Sequence, residues 1–209
     1  LMFKVLILQT QNSLSDEPAV RGNLKRAMGQ AYNGLGLYPK AKTLLQQAVA
    51  DAEQGGGGEG LIKARIALGF NQYMDGEYEQ ASAVYRQALH EVETLYGDKH
   101  DLVAASLRGL ADSIFELDQP EEAERLYRRA LAIELELHGD RHADTARTLH
   151  DLGILLYYQG DYAEAERLYR RSLATYRSLY GENHPSVAQG LNDLAVLLYD
   201  TGEFGAAIR

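Results

Sequence analysis

Four consecutive glycines, Gly55 to Gly58, are the first place to look for chemistry, because glycine-rich loops cradle phosphates with their backbone N–H groups. A phosphate loop also needs a Gly-Lys-Ser/Thr entry into a helix. Here the run is followed by Glu59 and Gly60, and a carboxylate at that place repels phosphate. The run reads as a flexible linker. His138 and His142 stand four apart with Asp140 between them, a metal-ligand spacing only if one helix carries both. Gly139-Asp140 breaks the helix, so capping of free helix N–H groups is the better role. His100 and His184 are expected to do the same. The acidic pairs Glu121-Glu122 and Glu134-Glu136 read as solvated helix faces, with no pocket to drive two pKa values apart. Ser106, Ser113 and Ser172 lack an elbow motif and a histidine in register, and Ser172 reads as a small packing residue. Cysteine is absent, which removes disulfides, thiolate metal sites and cysteine nucleophiles together. The expectation is a non-enzyme that uses no metal and no cofactor.

The elements that hold these residues belong to a globular chain of 209 residues, 45% hydrophobic and 24% charged. Its net charge of −9 argues against a grip on nucleic-acid phosphates. No run approaches the roughly 18 apolar residues of a membrane span. The most apolar stretch, Leu1 to Leu8, is short, carries Lys4 and is followed by polar Gln9 to Ser13. It reads as a helix whose apolar face packs on the next part of the chain, and it lacks the marks of a signal peptide. A cytoplasmic location is expected. The leucine at position 1 suggests a piece of a longer protein.

The chain repeats itself. Glu122-Ala123-Glu124-Arg125-Leu126-Tyr127-Arg128-Arg129 returns 42 residues later as Glu164-Ala165-Glu166-Arg167-Leu168-Tyr169-Arg170-Arg171, and Gln80 to Gln87 is a looser copy 42 residues earlier. The loops Tyr96-Gly97-Asp98-Lys99-His100, His138-Gly139-Asp140-Arg141-His142 and Tyr180-Gly181-Glu182-Asn183-His184 keep the same interval. Within a unit the apolar spacing is helical: Leu149, Leu152, Leu155 and Leu156 form one buried stripe. A turn at Gln159-Gly160 follows, and Asp161 with Glu164 predicts a capping box. The second helix is expected to bury Tyr162, Ala165, Leu168, Tyr169 and Leu173, and to pair Glu166 with Arg170 on its wet side. Ala41, Ala81, Ala123, Ala165 and Ala207 share one register; Gly29, Gly69, Ala111, Gly153 and Ala195 share the crossing points on the first helices.

This pattern of Leu-Gly, a turn, an aromatic, then alanine and a second aromatic resembles the tetratricopeptide repeat family over about residues 19 to 209. The 42-residue unit is longer than the usual 34 and is similar to kinesin-light-chain repeats, with Tyr180 to Pro185 and Leu191 to Ala195 closest. Asp16 to Val20 leading into Gly34 to Tyr38 also looks like repeats found behind bacterial kinase domains. The resemblance implies an all-α, right-handed superhelix of antiparallel helix hairpins. The expected divisions are an N-terminal helix and linker at 1–18, repeats at 19–54, 61–100, 101–142 and 143–184, a glycine-rich flexible loop at 55–60, and an incomplete fifth repeat at 185–209.

In such an array the first helices line an inner wall. The residues left off the buried stripe there are Arg26, Gln30 and Asn33 in the first repeat and Lys63, Phe70, Tyr73 and Met74 in the second. The third supplies Arg108, Asp112, Phe115 and Glu116, and the fourth Arg147, His150, Asp151, Ile154, Tyr157 and Tyr158. The fifth adds Gln189, Asn192, Asp193 and Tyr199. The arginines and Lys63 form a candidate basic ladder, with the aromatics along the other edge. Asn192 matches a family position used against a ligand backbone, where the other repeats carry Arg108 and His150. The predicted function is a protein-interaction module that binds a peptide with acidic and apolar side chains in its concave groove. No nucleic acid or membrane is expected as a partner. The alternative is self-association through the uncapped C-terminal end, or an intramolecular regulatory scaffold of a larger, kinase-containing signalling protein.

Overall fold

The computed structural model of the protein describes residues 17–202. The expected helix at residues 1–8 and the fifth-repeat Ala207 lie outside the described residues. Nine α-helices and no strand are found among the described residues. They are α1 (Pro18–Gly34), α2 (Tyr38–Gln54), α3 (Glu59–Met74), α4 (Tyr78–Tyr96), α5 (Asp101–Glu116), α6 (Pro120–His138), α7 (Ala143–Gln159), α8 (Tyr162–Tyr180) and α9 (Pro185–Asp200). Prolines open α1, α6 and α9, where a missing N–H costs nothing. The described residues form two compact units, divided between Ser113 and Ile114.

In the first unit α1 packs on α2 and α3 on α4. The α1–α2 pair is antiparallel: Gly22 lies against Ala48 and Ala52, while Gly29, a turn or two on, lies against Leu45. Asn33 and Asn71 join α1 to α3 through a buried amide hydrogen bond of 2.7 Å, and Asn71 also donates to the Tyr38 carbonyl at 3.0 Å. The Tyr85 ring of α4 is enclosed by Gly69 of α3 and Gly109 of α5. A β-carbon on either glycine would come within 2.9 Å and 2.2 Å of that ring, respectively. The glycine run makes a tight turn between α2 and α3, with Gly56, Gly57 and Gly58 all at positive φ and the Gly57 N–H donating to the Ala52 carbonyl. Glu59 and Gly60, placed by sequence in the loop, are the first residues of α3. Four residues suffice to reverse the chain, and the helix starts as soon as the turn is closed.

In the second unit α6 packs on α7, α7 on α8, and α8 on α9. Leu149, Leu152 and Leu155 are completely buried and Leu156 nearly so, as the leucine spacing predicts. Each such side chain contributes roughly 1.5–3 kcal/mol. Tyr169 of α8 covers Gly153 of α7, where a β-carbon would stand 2.7 Å from the ring. Ser172 does more than fill space: its hydroxyl donates to the buried Ala146 carbonyl at 2.7 Å.

The Gly-acid-x-His loops cap the helices that follow them. The Nδ1 atoms of His100, His142 and His184 accept from the N–H of Leu102, Asp144 and Ser186 at 3.1, 3.3 and 3.2 Å. Each imidazole also stacks on the aromatic four residues before it: Tyr96–His100 at 4.4 Å, His138–His142 at 4.1 Å and Tyr180–His184 at 4.2 Å.

Two expectations for α8 need correction. Asp161 accepts from the Glu164 N–H at 3.2 Å, but the Asp161 N–H donates to the Leu156 carbonyl rather than to Glu164. The Glu164 carboxylate is taken by Arg128, at 3.0 and 3.2 Å, and by Arg167, so only half of the capping box forms. Tyr162 is 41% exposed, not buried: it is the first residue of α8, and its ring lies 5.7 Å from that of Tyr157. The pairing of Glu166 with Arg170 is present at 2.7 Å.

Candidate functional site

The sequence-selected residues of the first unit are dispersed in character. Arg26 donates to Gln30 one turn on, at 3.1 Å, and Lys63 pairs with Glu59 of its own helix. Asn33 is buried in the hydrogen bond to Asn71. Arg108 is only 8% exposed, and Asp112 is half-buried. Phe70 and Met74 are exposed, while Tyr73 sits 5.6 Å from the Tyr78 ring.

The second unit gathers its residues. Along α7, Arg147 pairs with Asp151 one turn on, at 3.7 Å. His150 is buried behind them. Its Nε2 lies 2.8 Å from Oδ2 of Asp193 on α9, and its Nδ1 lies 3.5 Å from Oδ1 of Asp151. Burial opposes a charge on this ring, but hydrogen bonds to Asp151 and Asp193 outweigh it and push its pKa up to about 9. At neutral pH His150 is therefore an imidazolium, with both nitrogens donating. Its other neighbour is the Tyr169 ring, at 5.6 Å.

Beyond His150 a cavity of about 260 Å³ opens between α7, α8 and α9. Ile154, Tyr157 and Tyr158 line it from α7, Tyr169 from α8, and Gln189, Asp193 and Val196 from α9. Tyr157 and Tyr158 meet edge to face at 5.5 Å, and Phe115 extends the aromatic surface 5.8 Å beyond Tyr158. Tyr158 is 70% exposed and forms the lip. Tyr157 donates its hydroxyl to Asp200, which pushes its pKa up to about 12. Tyr169 is 3% exposed; burial, reinforced by Asp193, lifts its pKa well above the ordinary tyrosine range. Among the described residues nothing hydrogen-bonds to the Tyr169 hydroxyl.

Asn192 and Tyr199 of α9 are exposed and do not line this cavity. Asn192 donates to Oδ1 of Asp193 at 3.3 Å. The residue that sequence reasoning assigned wholly to packing is Tyr169, and the register held a clue. Its counterpart Tyr85 is enclosed by Gly109, and the residue at the Gly109 register in the last repeat is Asp193. A tyrosine that meets a carboxylate where its sibling meets a glycine is no longer in a dry seam. No cluster of three metal-ligating side chains is present among the described residues.

A sequence model of the tetratricopeptide repeat matches residues 21–90, 102–178 and 155–209, and a second model of the same repeat matches residues 64–134. No curated protein matches the chain by sequence. Solved structures are similar to it. BtubC (BKLC) from P. vanneervenii is similar over 98% of this chain and 81% of its own, with a TM-score of 0.79 and 22% identity. A kinesin-light-chain-like protein of Podosopora anserina, with nearly identical TPR-like repeats, is similar over 92% of each chain, with a TM-score of 0.74 and 21% identity. The Rap protein complexed with Competence and Sporulation Factor is similar over 92% of this chain and 62% of its own, with a TM-score of 0.70 and 14% identity.

Proposed function

Because the chain belongs to the tetratricopeptide repeat family, whose fold is generally a scaffold for protein–protein interaction, we propose that it is a non-catalytic module that captures a peptide segment of a partner protein. The face we assign to capture is the one formed by α7 and α9 of the second unit. The observation that carries this reading is the tyrosine-lined cavity beside Asp193. Tyrosines are rigid amphipathic anchors, and a concave site edged by an exposed aromatic is where interface energy concentrates. The Rap protein, which is similar in fold, is a member of a complex with a factor, and that supports a ligand-capturing role for this fold. No described helix is long and apolar enough to cross a membrane.

The test is capture from a lysate by the full chain, with partners identified by mass spectrometry. Wild type is compared with a Tyr158→Ala, Val196→Lys variant and with a Phe70→Ala control on the first unit. Both substituted positions in the variant are exposed, so circular dichroism should remain that of the wild type. Partners lost from the cavity variant and kept by the control are the expected result. Identical partner sets for wild type and variant overturn the assignment.

A further inference from the structure

Resting on the capture reading above, we propose that the cavity between α7, α8 and α9 receives a basic side chain of the partner, an arginine guanidinium. Its size comes first. At about 260 Å³ it falls below the roughly 300–1,000 Å³ of small-molecule pockets and suits one side chain rather than a cofactor.

Its polar groups then select the charge. Neither lysine nor arginine lines the cavity, and Asp193 is the one ionisable carboxylate that does. That carboxylate has acceptor capacity left: Oδ2 takes His150, and Oδ1 takes only the Asn192 amide at 3.3 Å, out of about four lone-pair positions. Tyr169 lines the same space, is 3% exposed, and its hydroxyl has no hydrogen-bond partner among the described residues. A guanidinium carries five N–H donors in one plane and no acceptor, so it serves Asp193 and the Tyr169 oxygen together. Its flat faces stack on Tyr157 and Tyr158, and its methylene stem lies along Ile154 and Val196.

Neighbouring charges leave the site negative. Arg147 and Asp151 offset each other and His150 offsets Asp193, which leaves Asp200, the acceptor of the Tyr157 hydroxyl, as the excess negative charge. The whole chain carries −9, which draws cationic segments toward it. An acidic side chain, the sequence expectation, would face Asp193 in this cavity. Of the four basic side chains that motivated that expectation, Arg26, Lys63 and Arg147 engage Gln30, Glu59 and Asp151 on their own helices, and Arg108 is buried.

The experiment is selection of a random peptide library on the full chain and on Asp193→Asn and Tyr169→Phe variants, at a temperature where circular dichroism shows all three fully folded. Enriched peptides are then remade with arginine replaced by citrulline, its neutral isostere. Wild type should enrich arginine. Citrulline substitution should weaken binding about tenfold or more, as loss of a charge-assisted hydrogen bond requires, and Asp193→Asn should erase the difference. Tyr169→Phe keeps the ring over Gly153 and should lower the preference without unfolding the chain. Enrichment of acidic or apolar peptides, no enrichment at all, or equal binding of arginine and citrulline each overturns the proposal. If lysate partners are lost from the cavity variant while arginine is not enriched, this inference fails and the capture reading stands. If neither effect is seen, both fall.

Discussion

The buried ion pair between His150 and Asp193 makes stability depend on pH with a calculable sign. In the folded chain the imidazole holds its proton up to about 9, against an ordinary value of 6.5, because Asp151 and Asp193 outweigh the cost of burial. At about 1.4 kcal/mol per unit, that rise corresponds to roughly 3 kcal/mol of stabilisation. Below pH 6.5 the folded and unfolded chains both carry the proton, and the contribution is complete. Between 6.5 and about 9 the unfolded chain releases its proton while the folded chain keeps it, so stability falls with rising pH. Above about 9 the contribution is gone.

The perturbation that isolates this effect is His150→Gln, which keeps a hydrogen-bonding side chain and removes the titration. Groups common to both proteins cancel in the difference. The tyrosines do not intrude, because Tyr157 and Tyr169 lose their protons later than free tyrosine and lower stability only above about pH 10. The assay is urea unfolding of the full chain at half-unit steps from pH 6 to 9.5, followed by circular dichroism and by tyrosine fluorescence, which 14 tyrosines and no tryptophan make straightforward. Wild type should lead the variant most at pH 6 and lose about 3 kcal/mol of that lead by pH 9.5. Parallel curves across the range would refute the argument, since they require His150 to have the same proton affinity folded and unfolded.

Three further outcomes rest on packing and capping. Gly109→Ala and Gly153→Ala each drive a methyl into an enclosed tyrosine ring, and chemical denaturation should show about 1–3 kcal/mol lost, with Gly109 the worse because its ring contact is closer. His142→Ala and His184→Ala remove the acceptor at a helix start and should each cost about 0.5–2 kcal/mol in the same measurement. His90→Ala, at an exposed position inside α4, should change little. Asn71→Ala leaves the buried Asn33 amide without its partner and should cost about 1–3 kcal/mol; a melting temperature equal to wild type would show that the amide pair is dispensable.

What the sequence made legible was everything governed by the 42-residue period. The leucine stripe of α7, the small residues at helix crossings and the capping histidines all come from one helix, or from one helix and its loop. Relations between repeats were harder to read. Asn33 and His150 lie on the face expected to be open, yet both are buried, because each finds a polar partner on the first helix of the following repeat: Asn71 for one, Asp193 for the other. A helical wheel drawn for a single helix holds no trace of those partners. Tyr162 failed for the opposite reason. Its spacing is that of a core residue, but at the first position of α8 no neighbouring turn covers it. The half-formed capping box shows competition of a third kind: Arg128, 36 residues away in sequence, claims the Glu164 carboxylate that the local motif reserves for the Asp161 N–H.

The same reasoning explains why one repeat offers a cavity and another a closed seam. Tyr85 and Tyr169 occupy equivalent places on their helices, and each rests on a glycine of the preceding helix, Gly69 or Gly153. They differ in what the following helix presents. Gly109 lets backbone approach the Tyr85 ring so closely that no β-carbon fits, and the ring is enclosed on both sides. At the same register α9 presents Asp193, whose carboxylate must be hydrated, paired or buried at high cost. His150 pairs with Oδ2, Asn192 donates to Oδ1, and the side chain borders the space lined by Tyr169 and Tyr157. This register varies along the array, as Ala67, Gly109, Asp151 and Asp193, and what it carries decides whether the tyrosine of the preceding helix meets backbone or a carboxylate.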